Sequence, residues 1–264
     1  ETVSTLDVLE VLPTPQLRLD LDALVAAANR WRLELKRHQA LMRALAEEEA
    51  RLQPLQGRER SASADAARHA TLAVGHRSRP LRLERWIPQS PRSDQTWVLM
   101  MPGLGGDPNH FHWLARSLMQ AGWPVAVLEH PGSDAAAVQA LLEGRQSFDG
   151  AAALRDRLAD LAAVLDAQRR GDLNIPGTEV VLMGHSLGAL TALLAGGAEL
   201  VPGMRKRCEG ALVGLPLTNL SELLQCELAA GRALEGNAMA SLPRAVVGLN
   251  SFGGLIWPHR SRQA

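Results

Sequence analysis

The spacing of apolar positions changes period along the 264 residues of this chain. From Asp22, the residues Leu24, Ala28, Trp31, Leu35, Met42 and Leu45 recur at three- and four-residue steps, with His38 interrupting the stripe and Arg and Glu on the other faces. That pattern predicts an amphipathic helix of roughly 30 residues, about 45 Å long. It reads most simply as a helix laid against the body of the molecule, and its spacing near 3.5 also suits a coiled-coil arm for a homodimer. Ahead of it, Ser4 and Thr5 precede leucines 6, 9 and 12, and Pro13 stops what reads as a short helix. Residues 16–21 alternate as a brief extended segment. Residues 54–70 are rich in Gly, Ser and charge, which predicts a linker. The expected division is a helical N-terminal region at 1–53, the linker at 54–70, and a second domain at 71–264.

In that second domain the pattern turns to strands. Residues 71–74 and 81–87 flank a polar turn at 76–80, as in a hairpin. Residues 97–101, WVLMM, form a continuous apolar run of the kind a buried parallel strand needs. A helix at 109–120, a buried strand at 125–128 and helices at 135–142 and 151–169 follow. The last of these carries Leu154, Leu158, Leu161 and Leu165 on one face. A strand comes next at 180–183. Residues 209–217 and 244–250 compete for the strand after that; 245–249 is the better candidate, with a capped helix at 219–226 and an insertion at 203–240 over one end of the sheet. Strands alternating with amphipathic helices predict an α/β fold, a mostly parallel sheet with flanking helices.

The strand at 180–183 runs into Gly184-His185-Ser186-Leu187-Gly188 and then an Ala- and Leu-rich helix. A strand, a sharp G-x-S-x-G turn and a closely packed helix describe the nucleophile elbow of an α/β-hydrolase. The short pattern recurs by chance, so its strand–turn–helix setting carries the reading. A serine hydroxyl needs activation, and the oxyanion it generates needs donors. One donor is the backbone N–H of Leu187. The other is expected from the Gly-rich loop at 102–107 after WVLMM, at Leu104. No G-x-G-x-x-G or Lys-Ser/Thr pattern follows that loop, which excludes a nucleotide-binding reading.

The base and its orienting carboxylate should follow the serine in the order Asp or Glu, then His. After Ser186 there is no aspartate, the only histidine is His259, and the glutamates are 199, 209, 222, 227 and 235. His110, His112 and His130 precede the serine and His185 lies within the elbow; each reads as a polar surface residue. The triad acid and histidine are therefore expected outside this sequence, in about 70–100 further residues carrying two more strands.

Composition narrows the rest. With 28 basic and 28 acidic side chains there is no electrostatic case for nucleic acid or an anionic membrane. No apolar run reaches the roughly 18 residues a membrane span needs. Cys208 and Cys226 have neither the spacing nor the neighbouring histidines of a metal site; they read first as buried free thiols, with a disulfide as the alternative in an oxidising compartment. No metal is expected. The chain begins at Glu1, which leaves room for a removed leader and an exported, periplasmic location.

With these residues in view, the sequence resembles the cyanobacterial branch of dienelactone-hydrolase-like α/β-hydrolases, relatives of the platelet-activating-factor acetylhydrolase group. PGLGGDPNHFHW at 102–113 looks like the family's oxyanion loop and following helix, and GWPVAVLEHPGSD at 122–134 like its strand ending in a His-Pro-Gly-Ser turn. Residues 184–188 match its elbow. Residues 219–226 and 244–258 resemble its insertion and next strand, and VLEVLPTPQLRLDLDALVAAANR resembles the region ahead of its hydrolase domain. The resemblance implies an α/β-hydrolase fold and an esterase with a Ser-Asp-His triad and no cofactor. It makes Ser186 the nucleophile and places the oxyanion donors at Leu187 and Leu104. Pro102 stands where the family often has His. Hydrolysis of a small-molecule carboxylic ester or lactone through an acyl-enzyme is the leading expectation. A non-catalytic binding or assembly module, and an acyltransferase or thioesterase, are the alternatives the fold leaves open.

Overall fold

The computed structural model describes residues 67–258, apart from 147–148, 200, 213–219, 230–240 and 252, together with scattered residues between 21 and 47. The chain clusters into two compact units, Glu1–Gln56 and Gly57–Ala264. In the first unit the described residues, Ala28 among them, are helical and exposed. The other members of the predicted stripe, the short helix and extended segment before it, and His259 lie outside the described residues.

Six strands form the second unit's sheet: β1 (Arg68–Leu72), β2 (Leu81–Trp86), β3 (Thr96–Met101), β4 (Val125–Glu129), β5 (Glu179–His185) and β6 (Ala245–Leu249). Their order across the sheet is β1-β2-β4-β3-β5-β6. β2 is antiparallel to both of its neighbours, whereas β4–β3, β3–β5 and β5–β6 pair in parallel. Every residue of β3 is buried, as a strand covered on both faces requires. Its side chains alternate between two cores. Trp97, Leu99 and Met101 pack with Leu154, Leu158, Leu161 and Leu190 on one face, while Val98 and Met100 pack with Phe111, Ala115 and Met119 on the other.

The helices are α1 (His112–Gln120), entered through a 3-10 turn at Pro108–Phe111, α2 (Ala135–Leu142), α3 (Gly150–Arg169), α4 (Leu187–Ala195), α5 (Met204–Leu212) and α6 (Leu220–Ala229). Aspartates start three of these segments. Asp107, Asp134 and Asp149 each accept a backbone N–H from the first turn, satisfying a donor the helix itself leaves unpaired. A mostly parallel sheet with one antiparallel strand, helices on both faces and a strand–turn–helix after β5 is the α/β-hydrolase fold.

Two sequence expectations change here, and the choice between two candidate strands falls to the favoured one. β1 begins at Arg68, so residues 68–70 belong to the sheet and not to the linker; Ala70 pairs with Leu83 across the hairpin. The apolar stretch from Glu209 is helical as far as Leu212, at the end of α5, and β6 is the strand that adjoins β5. A short apolar run does not by itself distinguish the two states. Cys208 and Cys226 are joined in a disulfide rather than free, because α5 and α6 pack side by side and bring their Cα atoms to 5.6 Å.

Candidate functional site

The carboxyl ends of β3, β4 and β5 meet around Ser186. This residue has φ 53° and ψ −116°, a conformation an L-residue adopts only under strain of order 1–3 kcal/mol. Backbone bonds on both sides hold it there. The Ser186 N–H donates to Leu249 O at 3.0 Å, tying the turn to β6, and Ser186 O accepts the Leu190 N–H at 3.1 Å, starting α4. The flanking glycines are required sterically. A Cβ on Gly184 would stand under 3.0 Å from the Gly188 carbonyl oxygen, and one on Gly188 under 3.0 Å from the carbonyl oxygens of Met101 and Pro102.

The loop after β3 reaches the serine because Met101 pairs with Gly184 in neighbouring parallel strands. A Cβ on Gly103 would lie 3.0 Å from Ser186 Cβ and 3.3 Å from His185 Nδ1. The loop then folds back. Gly106 N–H donates to Gly103 O at 3.2 Å, and Gly105 N–H donates to Ser133 O at 2.9 Å in the turn after β4. Asp107 caps the 3-10 turn that follows. Among the described residues, the N–H groups of Leu104 and Leu187 donate to no acceptor, and Ser186 Oγ has no hydrogen-bond partner.

Behind the loop lies a buried polar network. Asp160 on α3 is fully buried, and its two carboxylate oxygens take four contacts, which fills its acceptor capacity. Arg77 donates through Nε to Oδ1 at 2.9 Å and through Nη2 to Oδ2 at 2.7 Å; His76 Nε2 lies 2.7 Å from Oδ1, and His130 Nδ1 lies 2.9 Å from Oδ2. Burial alone would raise the Asp160 carboxyl, but the hydrogen bonds from His130 and Arg77 outweigh it and hold the group below the usual carboxylate range. An ionised carboxylate only accepts, so the proton of neutral His130 sits on Nδ1. Burial, reinforced by the Arg157 charge, pushes the His130 pKa down to about 3, so this imidazole is neutral at physiological pH. Its Nε2 is buried without a partner.

Arg157, one turn before Asp160, is 1% exposed. Its guanidinium donates to Pro102 O, to Ser133 Oγ at 2.8 Å and to Thr191 Oγ1 at 3.3 Å. Thr191 Oγ1 in turn donates to Leu187 O at 2.8 Å. One side chain therefore touches the loop after β3, the turn after β4 and the first turns of α4.

The structure brings Ser186 and the loop bearing Leu104 together, with Leu187 opening α4. It does not bring a histidine into hydrogen bonding with Ser186 among the described residues. His185 packs edge-on against Phe111, with ring centroids 6.3 Å apart, and His112 pairs with Glu84 at 2.6 Å. His110 is exposed and closes the Asp107 cap. His130 corrects the surface reading: it is 2% exposed and faces Asp160. Glu199, Glu209 and Glu227 are exposed, and Glu235 lies outside the described residues. No group of three His, Cys, Asp or Glu side chains among the described residues is placed to hold a metal ion. The residues missed in the sequence were Arg157 and Asp160. Their signal was positional: Arg157 falls between Leu154 and Leu161 on the apolar face of α3, where a charge needs a partner.

No family model and no curated protein matches this chain. Among solved structures it is similar to a ferulic acid esterase from Streptomyces cinnamoneus, at 20% identity and a TM-score of 0.36, covering 48% of this chain and 54% of the other. It is also similar to the butyrate-bound esterase Est2 from Thermogutta terrifontis, at 17% identity and a TM-score of 0.40, covering 72% of this chain and 55% of the other. The chain thus spans a little over half the length of these structures. At such scores the likeness adds nothing to the strand order and the elbow, which carry the fold by themselves.

Proposed function

We propose that the full-length protein is a serine hydrolase that cleaves a carboxylic ester or lactone through an acyl-enzyme at Ser186. The strained φ of Ser186, enforced by backbone-to-backbone contact at Gly184 and Gly188, is the observation that carries this reading. Strain of this kind has no use in a turn that only connects a strand to a helix. In the proposed reaction Ser186 Oγ attacks the acyl carbon and the carbonyl oxygen becomes an oxyanion. The N–H groups of Leu187 and Leu104, which have no acceptor among the described residues, receive that charge. The proton passes to a histidine, which returns it to the leaving alcohol, and water then releases the acid.

The sequence resemblance extends the proposal to a dienelactone-hydrolase-like esterase related to the acetylhydrolase group. Within it, residues 68–264 supply the nucleophile part of the hydrolase domain, 203–240 its insertion, and 1–53 a helical region ahead of the linker. Homodimerisation through that helical region and export to the periplasm belong to the same reading. The absence of a histidine bonded to Ser186 among the described residues favours the second reading, a hydrolase-fold module that binds or assembles without catalysis.

A fluorophosphonate probe separates the two. Covalent labelling of the full-length protein, abolished by Ser186→Ala, with turnover of p-nitrophenyl esters, supports the hydrolase. A folded protein that neither labels nor turns over esters overturns it. Turnover only with an added acceptor alcohol or with thioesters moves the assignment to an acyltransferase or thioesterase.

A further inference from the structure

Arg157 has a stronger claim on the reaction than its distance in sequence from Ser186 suggests. Burying a guanidinium costs several kcal/mol, and a leucine in its place on the apolar face of α3 would avoid that cost. Burial draws its pKa down to about 9, which still leaves it cationic at neutral pH. Its three acceptors are neutral oxygens on three separate segments: Pro102 O, Ser133 Oγ and Thr191 Oγ1. An ammonium cannot reproduce such a planar fork.

What the fork fixes is the orientation of peptide planes. In a trans peptide the C=O and the following N–H point in opposite directions. With Pro102 O drawn toward Arg157, the Gly103 N–H faces away from α3. Gly103 O is held in turn by Gly106 N–H, which aims the Leu104 N–H the opposite way. Through Thr191 and Leu187 O, the same guanidinium steadies the first turn of α4, whose leading N–H belongs to Leu187. Through Ser133, whose carbonyl receives Gly105 N–H, it steadies the far side of the loop.

We propose that Arg157 is the positioning residue of the oxyanion site: one buried guanidinium sets the loop donor at Leu104 and the elbow donor at Leu187 in register. This rests on the hydrolase reading above. It predicts a specific kinetic phenotype, because donors held slightly out of place weaken the tetrahedral state more than the bound ester.

The test uses the full-length protein with p-nitrophenyl acetate, a trifluoromethyl ketone as mimic of the tetrahedral state, and a fluorophosphonate to count reactive Ser186. For Arg157→Lys, kcat per titrated site should fall about ten-fold or more with KM within about two-fold, and ketone inhibition should weaken by the same factor as kcat. Thr191→Val, which removes one strut and keeps the shape, should show the same pattern at about three-fold or more. It also answers the question if Arg157→Lys does not fold. A purely structural role would lower the number of titratable sites and leave kcat per site and ketone binding unchanged. That outcome, in a wild type that labels, overturns this proposal alone. A wild type that does not label overturns the hydrolase reading and this proposal with it.

Discussion

Gly188, in the first turn of α4, lies against the carbonyl oxygen of Met101 at the end of β3, with no room for a side chain between them. Gly188→Ala should therefore force the elbow and the loop apart. The expected cost exceeds about 2 kcal/mol, and Ser186 should lose its reactivity toward fluorophosphonate even where the variant folds. Gly210 in α5 is the control, since a Cβ there meets nothing within 4 Å. Gly210→Ala should be neutral, or stabilising by up to about 1 kcal/mol. Urea titrations of the two variants at one pH check both statements.

Asp160 is the hub of the buried network, and removing its charge takes the nearby counter-charge from a fully buried guanidinium, Arg157. Asp160→Asn should cost about 3–5 kcal/mol, far more than a surface carboxylate would, because Arg157 stays fully buried beside it and the partly buried Arg77 keeps only Asp156 as an ion-pair partner among the described residues. A shift in the urea midpoint no larger than that of an exposed control, Asp172→Asn, would contradict this account.

His130 makes the fold sensitive to acid. Its folded pKa, about 3, lies below the value near 6.5 it has when unfolded. Below pH 6.5 the unfolded chain therefore takes up a proton that the native state does not. This part of the stability is complete above pH 6.5 and is lost as pH falls toward 3, by about 3 kcal/mol at pH 4.5. Asp160 acts with the same sign below about pH 4. His130→Asn keeps a donor for Asp160 and cannot titrate, so its unfolding free energy should be flatter than wild type between pH 6.5 and 4.5. Parallel curves would show that another group carries the effect.

Most of the scaffold could be read from the chain because its signals are local. WVLMM is apolar at every position and becomes a strand covered on both faces; 135–142 is bounded by Asp134 and becomes α2 within the same limits. The elbow was legible because its glycines obey a steric rule that holds wherever the turn occurs. The polar network was not. Arg77, His130 and Arg157 are separated by tens of residues; Arg77 and His130 look like surface residues, and the partners of Arg157 stay hidden, until the sheet order brings β4 and the turn after β1 over α3. The Cys208–Cys226 pairing was hidden for the same reason, since it depends on how α5 and α6 pack.

That disulfide closes 18 residues of chain, and losing it should cost about 3 kcal/mol in the chain-entropy account. The loss should be local in its dynamics. In Cys208→Ser/Cys226→Ser, amide exchange should accelerate in α5 and α6, while β3 and β5 keep their protection. Uniform acceleration across the sheet would mean that the two helices are part of the main cooperative unit.

β3 and β5 are neighbouring parallel strands, with Met101 opposite Gly184, so the separation between Ser186 and the 102–107 loop is inherited from the strand spacing of about 4.8 Å. Main-chain hydrogen bonding sets that length, and it is the same for any sequence able to form the sheet. Helices α1, α2, α5 and α6 can thus diverge in sequence while the serine and its loop keep their distance. The spacing of the site and the make-up of its surroundings can change separately here, because the first is measured out in backbone and the second in side chains.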